Sequence, residues 1–357
     1  MHKFAISAAL LACVLTGCST SAPSSGPTVP TTSTAIPPVL SSPRSALSLE
    51  CSALFPIARV QALLSDPVAI KIDEMHPPRR IEELAVLQAG GTECAWGGQN
   101  MTDSTWDTGI VLEILPLAAT EFASWESSGS SPKAVTGTIG DESGFQCGET
   151  SDTGGDWCSG DALVKGYWIS FSVNDVDGAH GGGVAATESA MAEVVAGITA
   201  AGPARANWTP PVTTITGGKL CSDPAAAARV SAIVGDTLTA SAPNVLPNLT
   251  AVAATRVGPV SCAWRGPHGE FDVSTLPAGA WAYPLVVAHP PMWTMLGAPA
   301  SFAVSGADGA VRACGDGCQA QISVDGSLVQ IYTSADSDVS GAFSGTVQKA
   351  IDAILAA

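Results

Sequence analysis

Glu93-Cys94-Ala95-Trp96-Gly97 and Ser261-Cys262-Ala263-Trp264-Arg265 are the two stretches whose reading decides the fold. Each opens a strand-like run with a Cys-Ala-Trp tripeptide, and each is the second member of a four-cysteine set. Cys51, Cys94, Cys147 and Cys158 are echoed by Cys221, Cys262, Cys314 and Cys318. First-to-second spacings are 43 and 41, and second-to-third spacings are 53 and 52. Gly166 follows Cys158 by eight residues, as Gly326 follows Cys318, and Leu115-Pro116 matches Leu276-Pro277. Agreement at several landmarks marks an internal duplication.

Outward from the tripeptides, each half reads alike. A helix-like stretch follows the first cysteine, over 53–64 with Leu54, Ile57, Val60, Leu63 and Leu64 on one face, and over 223–234 with Pro224 in the first turn. Strand-like runs follow at 93–97 and 109–115, and at 260–265 and 271–275. Residues 163–173 and 320–332 alternate as hairpins, the second turning at Asp325-Gly326, where glycine accepts positive φ. Alanine-rich helices at 184–200 and 344–356 close the halves. The expected fold is α+β: two tandem similar modules, each an antiparallel sheet with an N-terminal and a C-terminal helix.

The start of the chain assigns a compartment. Lys3, an apolar stretch over 4–14 and Leu15-Thr16-Gly17-Cys18 read as a lipoprotein signal, with Cys18 the acylated first residue after cleavage. Residues 18–48 are rich in Ser, Thr and Pro with Arg44 as the only charge, a tether reaching up to roughly 90 Å if extended. The expected organisation is signal peptide 1–17, tether 18–48, module one 49–203, linker 204–218 and module two 219–357. Trp208 inside the linker either packs on a module or stands exposed.

With Cys13 lost and Cys18 acylated, eight of the ten cysteines remain for an oxidising compartment. Eight allow 105 pairings, but a duplicated module closes its bridges internally. The expected pairs are Cys51 with Cys94, Cys147 with Cys158, Cys221 with Cys262 and Cys314 with Cys318. Zinc ribbons bring cysteines in close pairs, unlike the separation of 43 here, and Cys314-Gly-Asp-Gly-Cys318 has three intervening residues where thioredoxin-like sites have two. No metal and no cofactor is expected.

The lipobox, the tether, a cysteine before a helix and a Cys-x-Trp strand resemble the actinobacterial lipoproteins of unknown function in the mycobacterial Lpq and Lpr style, here with the domain present twice. The resemblance implies an anchor, palmitate included, on the extracytoplasmic face of the cell membrane, and it carries over no catalytic residue.

Charge and motifs narrow the function. The net charge is −17, with 21 acids against 7 bases over 51–205 and 10 against 6 over 219–357. That excludes nucleic acid and polybasic docking on lipid headgroups. Gly-x-Ser-x-Gly and His-Glu-x-x-His are absent, and Ser130-Ser131-Pro132-Lys133 matches Ser-x-x-Lys without its companion motifs. The turn at 336–341 opens like a calcium loop, yet Val347 stands where the bidentate glutamate belongs. Pairs such as Glu82 with Glu83, or Glu113 with Glu121, carry no placement by themselves. Among the aromatics, Trp96 and Trp264 are read as core beside disulfides. Trp281, Tyr283, Met292 and Trp293 form an apolar cluster in an expected loop, the candidate binding surface.

The expectation is a non-enzymatic, lipid-anchored cell-envelope protein with a binding or scaffolding role toward an envelope protein, glycan or apolar ligand. The alternative is an envelope hydrolase whose carboxylates meet only in three dimensions.

Overall fold

The computed structural model describes residues 42–64, 80–97, 109–128, 139–149, 156–175, 183–201, 208–211, 213, 215, 226–234, 237, 239–241, 248–258, 260–267, 269–288, 297–315, 317–334 and 339–355. The signal, Cys18, most of the tether, Cys221, Met292 and Trp293 lie outside the described residues.

The protein is α+β, with two antiparallel sheets of the same strand order. Sheet one is built from β1 (Thr92–Gly97), β2 (Gly109–Leu115), β3 (Glu142–Glu149), β4 (Asp156–Val164) and β5 (Tyr167–Asp175), in the order β1-β2-β5-β4-β3. Sheet two uses β7 (Val260–Gly266), β8 (Gly269–Leu276), β10 (Ala307–Cys314), β11 (Cys318–Val324) and β12 (Ser327–Thr333) in the equivalent order β7-β8-β12-β11-β10. Short edge strands β6 (Thr239–Ser241) and β9 (Ala300–Ser301) extend it on either side.

The hairpins between β4 and β5 and between β11 and β12 turn at Lys165-Gly166 and Asp325-Gly326. All four residues have positive φ, the geometry that two-residue hairpin loops require. In both modules the pleat sends one set of side chains to an inner face packed by the terminal helices. In module one Cys94, Leu112, Ile169 and Phe171 meet α1 (Cys51–Leu54), α2 (Ile57–Leu63) and α5 (Gly183–Ala200). Gly160 is required there, because a Cβ would come within 2.3 Å of the Phe145 ring and 2.8 Å of Met191 Sδ. In module two Trp264, Val273, Ile322 and Ile331 meet α6 (Ala226–Val234) and α9 (Val339–Leu355).

The disulfides follow the repeat. Cys51 is bonded to Cys94, stapling the first helix to β1, while Cys147–Cys158 and Cys314–Cys318 join register partners on β3/β4 and β10/β11. Cys262 is also disulfide-bonded. The helix expected over 53–64 is two helices, because Pro56 breaks the first and opens the second. Among the described residues no helix is long and apolar enough to cross a membrane.

Strands β3, β6, β9 and β10 were not read from the sequence, nor were the helices α3 (Ile81–Gln88), α4 (Ala119–Ser127), α7 (Leu249–Val257) and α8 (Tyr283–Ala288). Glu83 accepts from the Arg80 N–H at 3.0 Å to start α3. Asn248 accepts from the Ala251 N–H at 2.8 Å to start α7, and Gly258 ends it in the left-handed region.

Helices α3 and α7 are repeat counterparts, and they pack on one another across the two modules. Ile81, Leu84 and Ala85 of α3 enter a cluster with Leu276, Trp281, Val286 and Leu328 of module two. Leu249 and Ala253 of α7 enter one with Leu115, Phe122, Trp125 and Trp168 of module one.

The exchange is reciprocal in its hydrogen bonds. Gln88, six residues before Cys94, donates to the Pro277 carbonyl at 2.6 Å, and Arg256, six before Cys262, donates to the Pro116 carbonyl at 2.6 Å. Arg256 also reaches the Leu117 carbonyl and the Glu121 carboxylate, both at 2.7 Å. Trp208 of the linker packs against the α3 cluster, and Ile215 is buried in the core of module two. Residues 40–357 therefore form one compact unit.

Two outcomes follow from this construction. Replacing Cys51 and Cys94 together by serine should lower chemical stability by about 4 kcal/mol, against about 2 for the short Cys314–Cys318 loop, in urea titrations. Arg256→Ala should loosen docking without unfolding either module, read as a larger radius of gyration by small-angle scattering.

Candidate functional site

The outer faces of the sheets, turned away from the terminal helices, carry polar side chains at matching positions. In module one Glu93, Glu113, Ser170 and Asp161 are successive register partners across β1, β2, β5 and β4. Cross-strand neighbours bring their Cβ atoms to about 5 Å, so Glu93 and Glu113 are adjacent carboxyls. Helices α3 and α7 lie over this row.

Burial governs the row's protonation. Desolvation pushes Glu113 up to about 7, opposed by the hydrogen bond from Thr250 Oγ1 of α7 at 2.9 Å. Asp161 is raised to about 6 for the same reason, although it accepts from Trp168 Nε1 at 2.8 Å and bonds to Ser170. Glu93 is raised well above the usual carboxylate range by burial and by the neighbouring Glu83 and Glu113, and its Oε2 has no hydrogen-bond partner among the described residues. Arg80 opposes the accumulated charge from the helix start, paired with Glu83 at 2.8 Å. Glu93 and Glu113 are thereby suited to holding protons near neutral pH. Helices α3 and α7 cover them, and no group of three or more His, Cys, Asp or Glu side chains is placed to hold a metal among the described residues.

The corresponding row in module two is Ser261, Ser274, Gln330 and Gln321. Ser261 and Ser274 hydrogen-bond to one another at 2.7 Å, and Ser261 donates to Glu82 of α3 at 3.1 Å. The next row holds Asp272, Tyr332 and Gln319. Asp272 is raised to about 7, by burial first and by Glu270 second, with Arg265 pulling the other way. Asp272 Oδ1, Gln319 Oε1 and both amide atoms of Gln321 are buried without hydrogen-bond partners among the described residues. A buried polar atom left unpaired costs about 1–3 kcal/mol.

The aromatic cluster read from the sequence is placed differently from an open loop. Trp281 lies in a 3-10 turn (Gly279–Ala282), 8% exposed, inside the inter-module cluster, with its Nε1 donating to Gln88 Oε1 at 3.0 Å. Tyr283 opens α8 (Tyr283–Ala288) and rests on β10 at Gly309. Trp96 and Trp264 are core residues at 4% and 1% exposure. Of the carboxylate pairs named from sequence, Glu113 meets Glu93, whereas Glu121 is bound to Arg256. The signal for the row was a lone charge in the apolar run of β2, Gly-Ile-Val-Leu-Glu-Ile-Leu, together with Asp161 in β4.

Compared with protein-family models, curated proteins and solved structures, the chain matches none of them.

A carboxyl raised in the folded state contributes stability that is complete below its unfolded pKa and is lost as pH rises through the folded one. Melting temperature should therefore fall between about pH 4.5 and 7 as Asp161 and Glu113 ionise. Glu113→Gln should flatten that slope and raise stability at neutral pH in thermal scans. An unchanged slope would show that Glu113 does not set it.

Proposed function

We propose that the protein is a lipid-anchored envelope protein with a non-catalytic binding role, and that the outer face of sheet two is its binding surface. The reading is carried by one observation. In module one the row Glu93, Glu113, Ser170 and Asp161 lies under the interface helices, while in module two Gln330 of the equivalent row and Asp272 and Tyr332 of the next are half-buried beside the unpaired Gln319 and Gln321 amides. A rigid two-module body on a long tether suits presentation of such a surface away from the lipid. Acylation of Cys18 would hold the chain on the extracytoplasmic side of the cell membrane.

A second reading, the envelope hydrolase, draws on the adjacent Glu93 and Glu113 with raised pKa values. It stands behind the first because α3 and α7 cover the pair and Thr250 occupies one carboxyl oxygen.

A photoreactive residue at Ser274, on this face, should crosslink the protein to an envelope component in intact cells, whereas the same residue at the exposed Ile57 should not. Cys18→Ser should abolish membrane retention and, with it, the crosslink. Equal labelling from both positions would reject the surface. Loss of complementation of a deletion strain by folded Glu113→Gln would turn the assignment to the hydrolase.

A further inference from the structure

Gln319 and Gln321 alternate along β11 toward the outer face, 6% and 0% exposed, without partners for three of their four amide atoms among the described residues. What lies over them is apolar. Val287 of α8 packs against Val311 and Ala313, the register partners of Gln321 and Gln319. The Tyr283 ring sits on β10 so closely that a Cβ at Gly309 would fall 2.8 Å from it.

The duplication shows what the same position looks like when it is satisfied internally. Asp161, the counterpart of Gln321, takes the indole N–H of Trp168. In module two Leu328 stands at the place of Trp168 and has no donor to give. Among the described residues nothing replaces that donor, and a ligand taking the place of α8 would supply partners to the glutamine amides.

The chemistry of the neighbours selects the ligand. Asp272, Gln330 and Tyr332 continue the floor toward solvent, with groups spaced about 4.8 Å across strands and roughly 6.8 Å along them. No Lys or Arg belongs to these rows, and Arg265, one pleat further, is paired with Glu270 at 2.9 Å. An anion therefore finds no countercharge, and an apolar ligand would leave the amides unpaired. Closely spaced hydroxyls both donate and accept, as the amides, the phenol and the carboxyl also require.

Resting on the binding reading above, we propose that this face, floored by Gln319 and Gln321 with Asp272, Gln330 and Tyr332 beside them, binds a neutral glycan chain, with α8 displaced to admit it.

The test uses the whole folded chain and a panel of neutral hexose, pentose and N-acetylhexosamine oligosaccharides, read by saturation-transfer NMR and calorimetry. At least one should bind. Gln321→Met should weaken that oligosaccharide at least about tenfold while raising the unliganded melting temperature by about 2–4 °C, since an unpaired amide is removed. Asp272→Asn should weaken binding without lowering the melting temperature, since burial already raises that carboxyl to about 7. Absence of binding by every oligosaccharide, equal binding by wild type and Gln321→Met, or a lower melting temperature for Gln321→Met would each overturn the proposal. The crosslink from Ser274 separates the two failures: if it persists when no oligosaccharide binds, the surface stands and the glycan falls. If both are lost, the binding reading falls as well.

Discussion

The structure depends on the exchange of one helix between the modules. Each sheet has two apolar-edged faces, and its own terminal helices cover only the inner one. The outer face of sheet one is completed by α7, whose Leu249 and Ala253 close on Leu115 and Trp168. The outer face of sheet two is completed by α3, whose Ile81 and Leu84 close on Leu276 and Leu328. A single module would expose this apolar surface to water, at roughly 25 cal/mol per Å². Duplication supplies the matching surface in the same chain, so the pair behaves like an isologous dimer joined by a linker. The reciprocal bonds of Gln88 and Arg256 to the carbonyls of Pro277 and Pro116 express that symmetry.

The architecture was legible because it is written in cysteine spacing and pleat alternation. Cys94 and Cys262 mark the first strand of each repeat, and Asp325-Gly326 marks a turn whose backbone few other residues accept. The interface helices were not legible. Residues 81–88 and 249–257 are short, their apolar residues serve two modules at once, and they sit where spacing to the nearest landmark said nothing about helix. Trp281 was misplaced for a related reason. Prolines and alanines around it suggested a loop, but its indole has a hydrogen-bond acceptor only in the other module, at Gln88, and no local pattern reveals a partner 193 residues away. The candidate site was less visible still, because a sheet row assembles four strands and each contributes one ordinary polar residue.

Across the repeat the two outer faces keep the same lattice and differ in how it is satisfied. Glu113, Ser170 and Asp161 became Ser274, Gln330 and Gln321, or the reverse, while the inner faces stayed apolar. The change of Trp168 to Leu328 matters more than its size suggests. It removes the only indole donor at that point of the sheet, and the residue diagonal to it passes from a bonded carboxyl to an unbonded amide. Divergence of this kind lets one module serve as the structural half and the other vary.

Placing carboxyls at the seam is costly in water-free packing, and apolar substitutes would be cheaper. What they contribute is register. Thr250 can reach Glu113, and Ser261 can reach Glu82, only when α3 and α7 lie in one relative position. Sliding either helix by a turn would strand Glu113 without its donor and expose the unpaired oxygen of Glu93 to further desolvation. An apolar seam of Leu and Ala alone would tolerate several alignments at similar energy. The polar row therefore fixes which alignment the two modules adopt, and that alignment determines which part of sheet two is left uncovered by α3.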